Sequence, residues 1–442
     1  MLIQQLDASE RPRGALSWCL TLIWLQCPPL DPRRLISQGI RWTGQEWLAT
    51  FSRPKIGPMA TRIMISGAIA RHPLYGGGNS WAFLQYVLGF RNLGFDVYYV
   101  EQLNPEDCVN DEQKPADFRS SANARYFRSL VDRFDLNGRA ALLESEGPGY
   151  VGFSHAELRK IAPDVELLIN PSGRLRFTSV LSAVRRRMYV DMDPGYTQIW
   201  QEQYGVDMNL YNHDVYVTVG LNLGHPDCPL PTCGIRWEKT LPPVVIEEWA
   251  TSQPPGKSYS TVADWRGFSP VEWRGVWYNQ KADEFKRIID LPHRVSVPLE
   301  LCLSIHPDDP DRIELERHSW RLVRPTDHAA SPDEYRDYIL VSRGEFTAVK
   351  PGYAAGRTAW FSDRSACYFA AGRPVIMQDT GIGRYVPTGT GLLTFSGLDS
   401  AIDAVEQVES NYTRHAAAAA AFAREFLDSN VVLPRLLRLA RI

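Results

Sequence analysis

Twice along the chain, short apolar runs of strand length alternate with segments of helical periodicity, and a proline-rich stretch separates the two series. In the first series Ile63 to Ala70, Asp96 to Glu101, Val165 to Ile169, Arg187 to Asp191 and Val215 to Val219 predict strands. Helices are predicted between them at Ser80 to Leu93, Ala122 to Phe134, His155 to Ile161 and Tyr196 to Tyr204. After LPPVV and TSQPPGKSYS the pattern resumes, with strands at Ser260 to Ala263, Val297 to Ser304, Trp320 to Val323, Phe346 to Val349 and Pro374 to Gln378. Helices there are expected at Asp283 to Ile289, Asp311 to His318, Pro332 to Val341 and Asp363 to Ala371. Continuous apolar strands suit burial on both faces of a parallel sheet, and strands separated by helices imply βαβ units. Leu398 to Ser410 and the alanine-rich Tyr412 to Asp428 add two helices built from good helix formers.

A chain of 442 residues exceeds one ordinary hydrophobic core, so two domains are the expectation. The fold class predicted is α/β, with a Rossmann-like lobe over 61–240, a second over 241–410, a cleft between them, and a C-terminal helical segment, 411–442, packing back on the first lobe. Residues 1–60 mix Arg, Pro and Trp without periodicity. Met59 or Met64 reads as the natural start, with 1–58 an over-long gene prediction or a flexible tail. The apolar stretch Leu16 to Leu30 is too short for a bilayer core of about 30 Å and lacks a small-residue cleavage site. With no other spanning segment, a cytoplasmic location is expected, with peripheral membrane contact left open. A net charge of −3 without a Lys/Arg-rich block argues against nucleic acid as a partner. Seven scattered cysteines suit a reducing compartment. Cys228 and Cys233, with His225 nearby, lack the second pair that a zinc site needs, so no metal is expected.

Three segments carry chemistry. His72 to Trp81, HPLYGGGNSW, lies between the first predicted strand and helix, where glycines let backbone N–H groups approach a phosphate. Its consecutive Gly76, Gly77 and Gly78 lack the spacing of the dinucleotide fingerprint, which disfavours a dehydrogenase. Tyr189 to Trp200, YVDMDPGYTQIW, puts Asp191 and Asp193 at a strand's carboxyl end, where open α/β sheets hold ligands. A carboxylate there can take a proton from a hydroxyl, or it can cap the turn. Residues 350–383 arrange a lysine, a turn, a helix and a strand in order; Lys350, Arg364 and the N-terminus of the Ser362 helix could together neutralise a diphosphate leaving group.

The block FSDRSACYFAAGRPVIMQDTG resembles the donor-binding helix and strand of GT-B glycosyltransferases and is most similar to their spore-coat-protein-like branch; the resemblance extends over roughly residues 62–440. It implies a nucleotide-sugar co-substrate and no further cofactor. It also implies donor contacts at Gly77, Gly78 and Asn79 from the first lobe and at Lys350, Gly352, Ser362, Asp363 and Arg364 from the second. Many retaining members carry two glutamates eight positions apart around this helix; the second would fall at Cys367, so that pattern is missing. Inverting members often place a histidine base after the first strand, where His72 stands, and Asp193 is the other candidate base.

The function expected is metal-independent transfer of a sugar, hexosyltransferase-like, from a nucleotide diphosphate sugar to a hydroxyl acceptor. A nucleotide-sugar epimerase of the same fold and a non-catalytic module binding a sugar nucleotide or glycan are the alternatives.

Overall fold

The computed structural model describes residues 61–442. The expectations for 1–58 and for Leu16 to Leu30 lie outside the described residues. The first sheet has eight strands: β1 (Arg62–Gly67), β2 (Asp96–Leu103), β3 (Ala140–Glu144), β4 (Tyr150–Gly152), β5 (Val165–Pro171), β6 (Arg187–Asp191), β7 (Val215–Thr218) and β8 (Glu238–Lys239). Their order is β4-β3-β2-β1-β5-β6-β7-β8, and every pairing is parallel except β3 with β4. A two-stranded antiparallel hairpin, Val271–Trp273 with Val276–Tyr278, follows the Tyr259–Asp264 strand. The second sheet has six parallel strands in the order Arg321–Val323, Leu299–Ser304, Tyr259–Asp264, Gly344–Thr347, Val375–Gln378 and Leu392–Phe395.

Burial explains the parallel arrangement. Residues 63–67 of β1 are buried without alternation, as are 97–101 of β2, because helices cover both faces. In each sheet the strand order reverses direction at one point: between β1 and β5 in the first, and between Tyr259–Asp264 and Gly344–Thr347 in the second. Such switch points leave a crevice at the strands' carboxyl ends.

The strand expected over Ile63 to Ala70 stops at Gly67, and Ile69–Arg71 form a 3-10 turn. A Cβ at Gly67 would overlap the Tyr99 hydroxyl, while the Ala70 N–H donates to the buried Glu101 carboxylate at 3.0 Å. The helix over Gly77–Asn92 begins three residues before the expected Ser80. It packs between the lobes: its Trp81 Nε1–H donates to the Pro332 carbonyl at 2.8 Å. The alanine-rich helix ends at Phe422, passes through a π-helical turn over Ala423–Leu427, and is followed by a separate helix, Ser429–Leu439. That last helix lies against Gly89 of the first lobe, where a Cβ would overlap the Leu433 side chain. Among the described residues no helix is long and apolar enough to cross a membrane.

Candidate active site

A cavity of about 350 Å³ lies over both switch points, with one wall from each lobe. From the first lobe come His72, Gly78 and Asn79 after β1, Ser172 and Arg174 after β5, and Met192 and Asp193 after β6. The second lobe supplies Asp264 at the end of its Tyr259–Asp264 strand, Lys281, Lys350, Trp360 and the Ser362–Arg364 segment. Of the ten residues expected at the site, eight therefore line one cavity; Gly77 and Gly352 are not among its lining residues.

The loop carrying His72 is held from below. Glu101 accepts from Ala70, Asn123 Nδ2–H donates to the Ala70 carbonyl at 2.8 Å, and Asn79 Nδ2–H donates to the Ala68 carbonyl at 2.5 Å. Burial pushes the Glu101 carboxyl up to about 7, against the hydrogen bonds that favour its charged form. His72 is itself exposed to solvent within the concave cleft and stacks on Tyr75, ring centroids 5.9 Å apart. Desolvation by the surrounding walls, aided by the charges of Arg71 and Arg174, holds its pKa below the usual histidine value despite Asp264 across the cleft. A neutral imidazole at pH 7 is the form that accepts a proton.

The two aspartates of the β6 loop differ in role. Asp191 is fully buried and accepts from Thr197 Oγ1 at 2.7 Å, Gln198 Nε2 at 2.9 Å and Thr218 Oγ1 at 2.8 Å, so its oxygens organise the loop. Burial raises its carboxyl to about 6. Asp193 faces the cavity, taking a 3.1 Å ion pair from Lys350 Nζ and a 2.5 Å hydrogen bond from the Tyr353 hydroxyl. Burial opposes its charged form, but Lys350 and Tyr353 prevail and hold its pKa below the usual carboxylate value. Lys350, whose ammonium also sits 3.1 Å from the centroid of the Phe268 ring, thus joins the lobes through an internal counter-ion.

Arg364 likewise has internal partners. It pairs with Glu345 at 2.5 Å and donates to the Val262 carbonyl and Thr347 Oγ1, both at 3.1 Å. Ser362 caps its own helix, Asp363–Ala370, by accepting from the Arg364 N–H at 3.1 Å. Burial raises the Asp363 pKa at this helix start. Cys367 is buried in the same helix, where its thiol donates to the Asp363 carbonyl at 3.3 Å.

The glycines have packing reasons. A Cβ at Gly76 would overlap the His72 carbonyl, one at Gly77 the Ser331 carbonyl, and one at Gly78 would lie 2.7 Å from the Tyr335 ring. The Gly77 N–H donates to the Ala329 carbonyl at 2.9 Å, and Gly352 lies against the Tyr196 ring, its N–H donating to that hydroxyl at 3.2 Å.

Sequence reading missed two cations. Lys281 and Arg174 line the cavity, their side chains with no hydrogen-bond or ion-pair partner among the described residues, and Arg174 Nε is buried without an acceptor. Desolvation first, then the charges of Arg364 and Lys350, push the Lys281 ammonium down to about 7. Neither has a motif around it: Lys281 opens an ordinary six-residue helix, and Arg174 follows a turn. Among the described residues one group combines metal-ligating side chains, Asp290, His293 and His318, with ligand atoms within 4.8 Å of one another. It lies outside the cavity lining.

No family model matches the chain, and no curated protein matches it. Solved structures do. An alpha-glucosyltransferase in complex with UDP-glucose and DNA containing an abasic site is 12% identical, with 87% of this chain and 100% of that chain covered and a TM-score of 0.51. HepE of Anabaena in complex with UDP is 11% identical over 86% of this chain and 100% of that one, with a TM-score of 0.52. The fold is accordingly GT-B: two Rossmann-like lobes facing one cleft.

Proposed function

We propose that this protein is a glycosyltransferase that moves a sugar from a nucleotide diphosphate sugar to a hydroxyl acceptor without a bound metal ion. The observation that carries this reading is the unpaired Lys281 ammonium on the second-lobe wall of a cleft whose first-lobe wall presents His72. In this reading the acceptor hydroxyl attacks the anomeric carbon, its proton passes to His72, and the bond from that carbon to the phosphate oxygen breaks. Lys281 and the N-terminus of the Asp363–Ala370 helix stabilise the charge on the departing nucleoside diphosphate. Asp193 and Lys350 join the walls and position them, because each already answers the other's charge.

Metal independence is supported by the state of the Asp191-x-Asp193 pair. The oxygens of Asp191 serve Thr197, Gln198 and Thr218, and Asp193 serves Lys350 and Tyr353, so the two do not converge on a common cation site. A GT-B fold shared with proteins solved with UDP and UDP-glucose makes a nucleotide sugar the first donor to test. Product analysis with a panel of nucleotide sugars, with and without hydroxyl acceptors and in EDTA, tests the proposal. Acceptor-dependent release of nucleoside diphosphate in EDTA is expected. An epimerised nucleotide sugar without acceptor, binding with no turnover across the panel, or strict dependence on added manganese would each contradict it.

A further inference from the structure

Arg174 stands on the other wall from Lys281. Its turn is rigid: Ser172 and Gly173 adopt φ of 53° and 63°, the Ser172 N–H donates to the Val190 carbonyl at 2.8 Å, and Asn209 Nδ2–H donates to the Gly173 carbonyl at 3.0 Å. The charged groups facing it are already engaged. Glu101 serves Ala70 and Tyr99, Asp193 serves Lys350 and Tyr353, and Arg71 pairs with Asp107 at 3.4 Å. A guanidinium stays charged in a protein, and one that is desolvated without a counter-ion destabilises the fold until an anion arrives. It lines the same first-lobe wall of the cavity as His72, whose imidazole feels its charge. An anion held by Arg174 would therefore belong to the molecule whose hydroxyl reaches His72.

We propose that Arg174 is an acceptor-binding residue taking a carboxylate or phosphate group, so that the acceptor is an acidic or phosphorylated sugar. This rests on the glycosyltransferase reading above. The cleft then has two anion subsites with different ligands: Lys281 for the donor diphosphate and Arg174 for the acceptor.

The test is calorimetric titration of glucose, glucuronate, glucose 6-phosphate and inorganic phosphate into protein saturated with UDP. A charge-assisted contact should favour glucuronate or glucose 6-phosphate over glucose by roughly tenfold or more. Glucuronate against glucose 6-phosphate separates carboxylate from phosphate, and inorganic phosphate alone separates a sugar-borne group from a free ion. Arg174→Gln should abolish the preference, Arg174→Lys should keep part of it, and both should leave the nucleotide dissociation constant within about threefold. The Lys variant also controls for folding. A loss of nucleotide affinity of tenfold or more in Arg174→Gln, a wild type that does not prefer the acids, or a preference for free phosphate over either sugar would overturn the inference. Wild type binding no nucleotide would instead remove the glycosyltransferase reading, and this inference with it.

Discussion

Lys281 and Arg364 both line the cavity as cations, yet only Arg364 has an internal counter-charge. Removing them should have opposite consequences. Arg364→Met strands the buried Glu345 carboxylate and should cost about 3–5 kcal/mol of stability, read as a fall in denaturation midpoint. Lys281→Met relieves a desolvated charge, so it should leave stability unchanged or raised while weakening nucleotide binding. The sign of the pH effect follows. With a native pKa of about 7 against an ordinary 10.5, the native state binds fewer protons than the unfolded state between those values. The desolvation penalty of Lys281 is therefore full below about pH 7, and stability rises with pH across that window as the penalty fades. A bound diphosphate restores the proton, so nucleotide affinity should fall as pH rises above 7, with proton uptake visible when calorimetry is repeated in buffers of different ionisation enthalpy. Pairing at Asp193 makes it a weak base, which leaves His72: His72→Ala should slow transfer by at least about 10²-fold. Activity should fall as pH drops through a histidine pKa below its ordinary value, because the protonated imidazole cannot accept. Lys350 was legible as a site candidate because it opens the ordered lysine, turn, helix and strand of residues 350–383; its ion pair was not, since Asp193 lies in the other lobe.

At the scale of elements, the Gly77 helix is where the lobes meet. A Cβ at Gly77 would overlap the Ser331 and Ala329 carbonyls, so Gly77→Ala should cost about 1–3 kcal/mol through overpacking, although alanine is the better helix former. Gly397→Ala, at a helix start with open space around it, should stay within about 0.5 kcal/mol. Equal melting temperatures for the two variants would refute the close-packing account. Long apolar runs such as those of β1 and β2 were legible because burial on both faces leaves a continuous signal. Strands at Ala140–Glu144 and Leu392–Phe395 were not, being short runs whose Ala and Leu suit a helix equally well, and Tyr150–Gly152 is only three residues long. The turn inside the expected final helix was hidden too: its alanines favour continuation, and the break depends on Val244 pairing with the backbone around Leu427. The glycine loop was read as a phosphate cradle, whereas the partner atoms that explain it, Ser331 and Tyr335, stand some 250 residues away and leave no local trace.

For the molecule as a whole, two facing sheets place their switch points on one cavity, and the two lobes meet at several points: Asp193 with Lys350, Arg133 with Asp333 at 2.8 Å, and Tyr196 with Gly352. Closure of this kind excludes water and so protects an activated sugar from hydrolysis. The most direct test of the central claim is thermal denaturation with UDP, GDP, dTDP, ADP and CMP, each in EDTA and in magnesium. A ligand present at 100 times its dissociation constant stabilises the native state by about 2.7 kcal/mol. The account predicts that one nucleoside diphosphate raises the melting temperature in EDTA as much as in magnesium, and that Lys281→Met removes the shift. A folded wild-type protein that responds to none of them would contradict it.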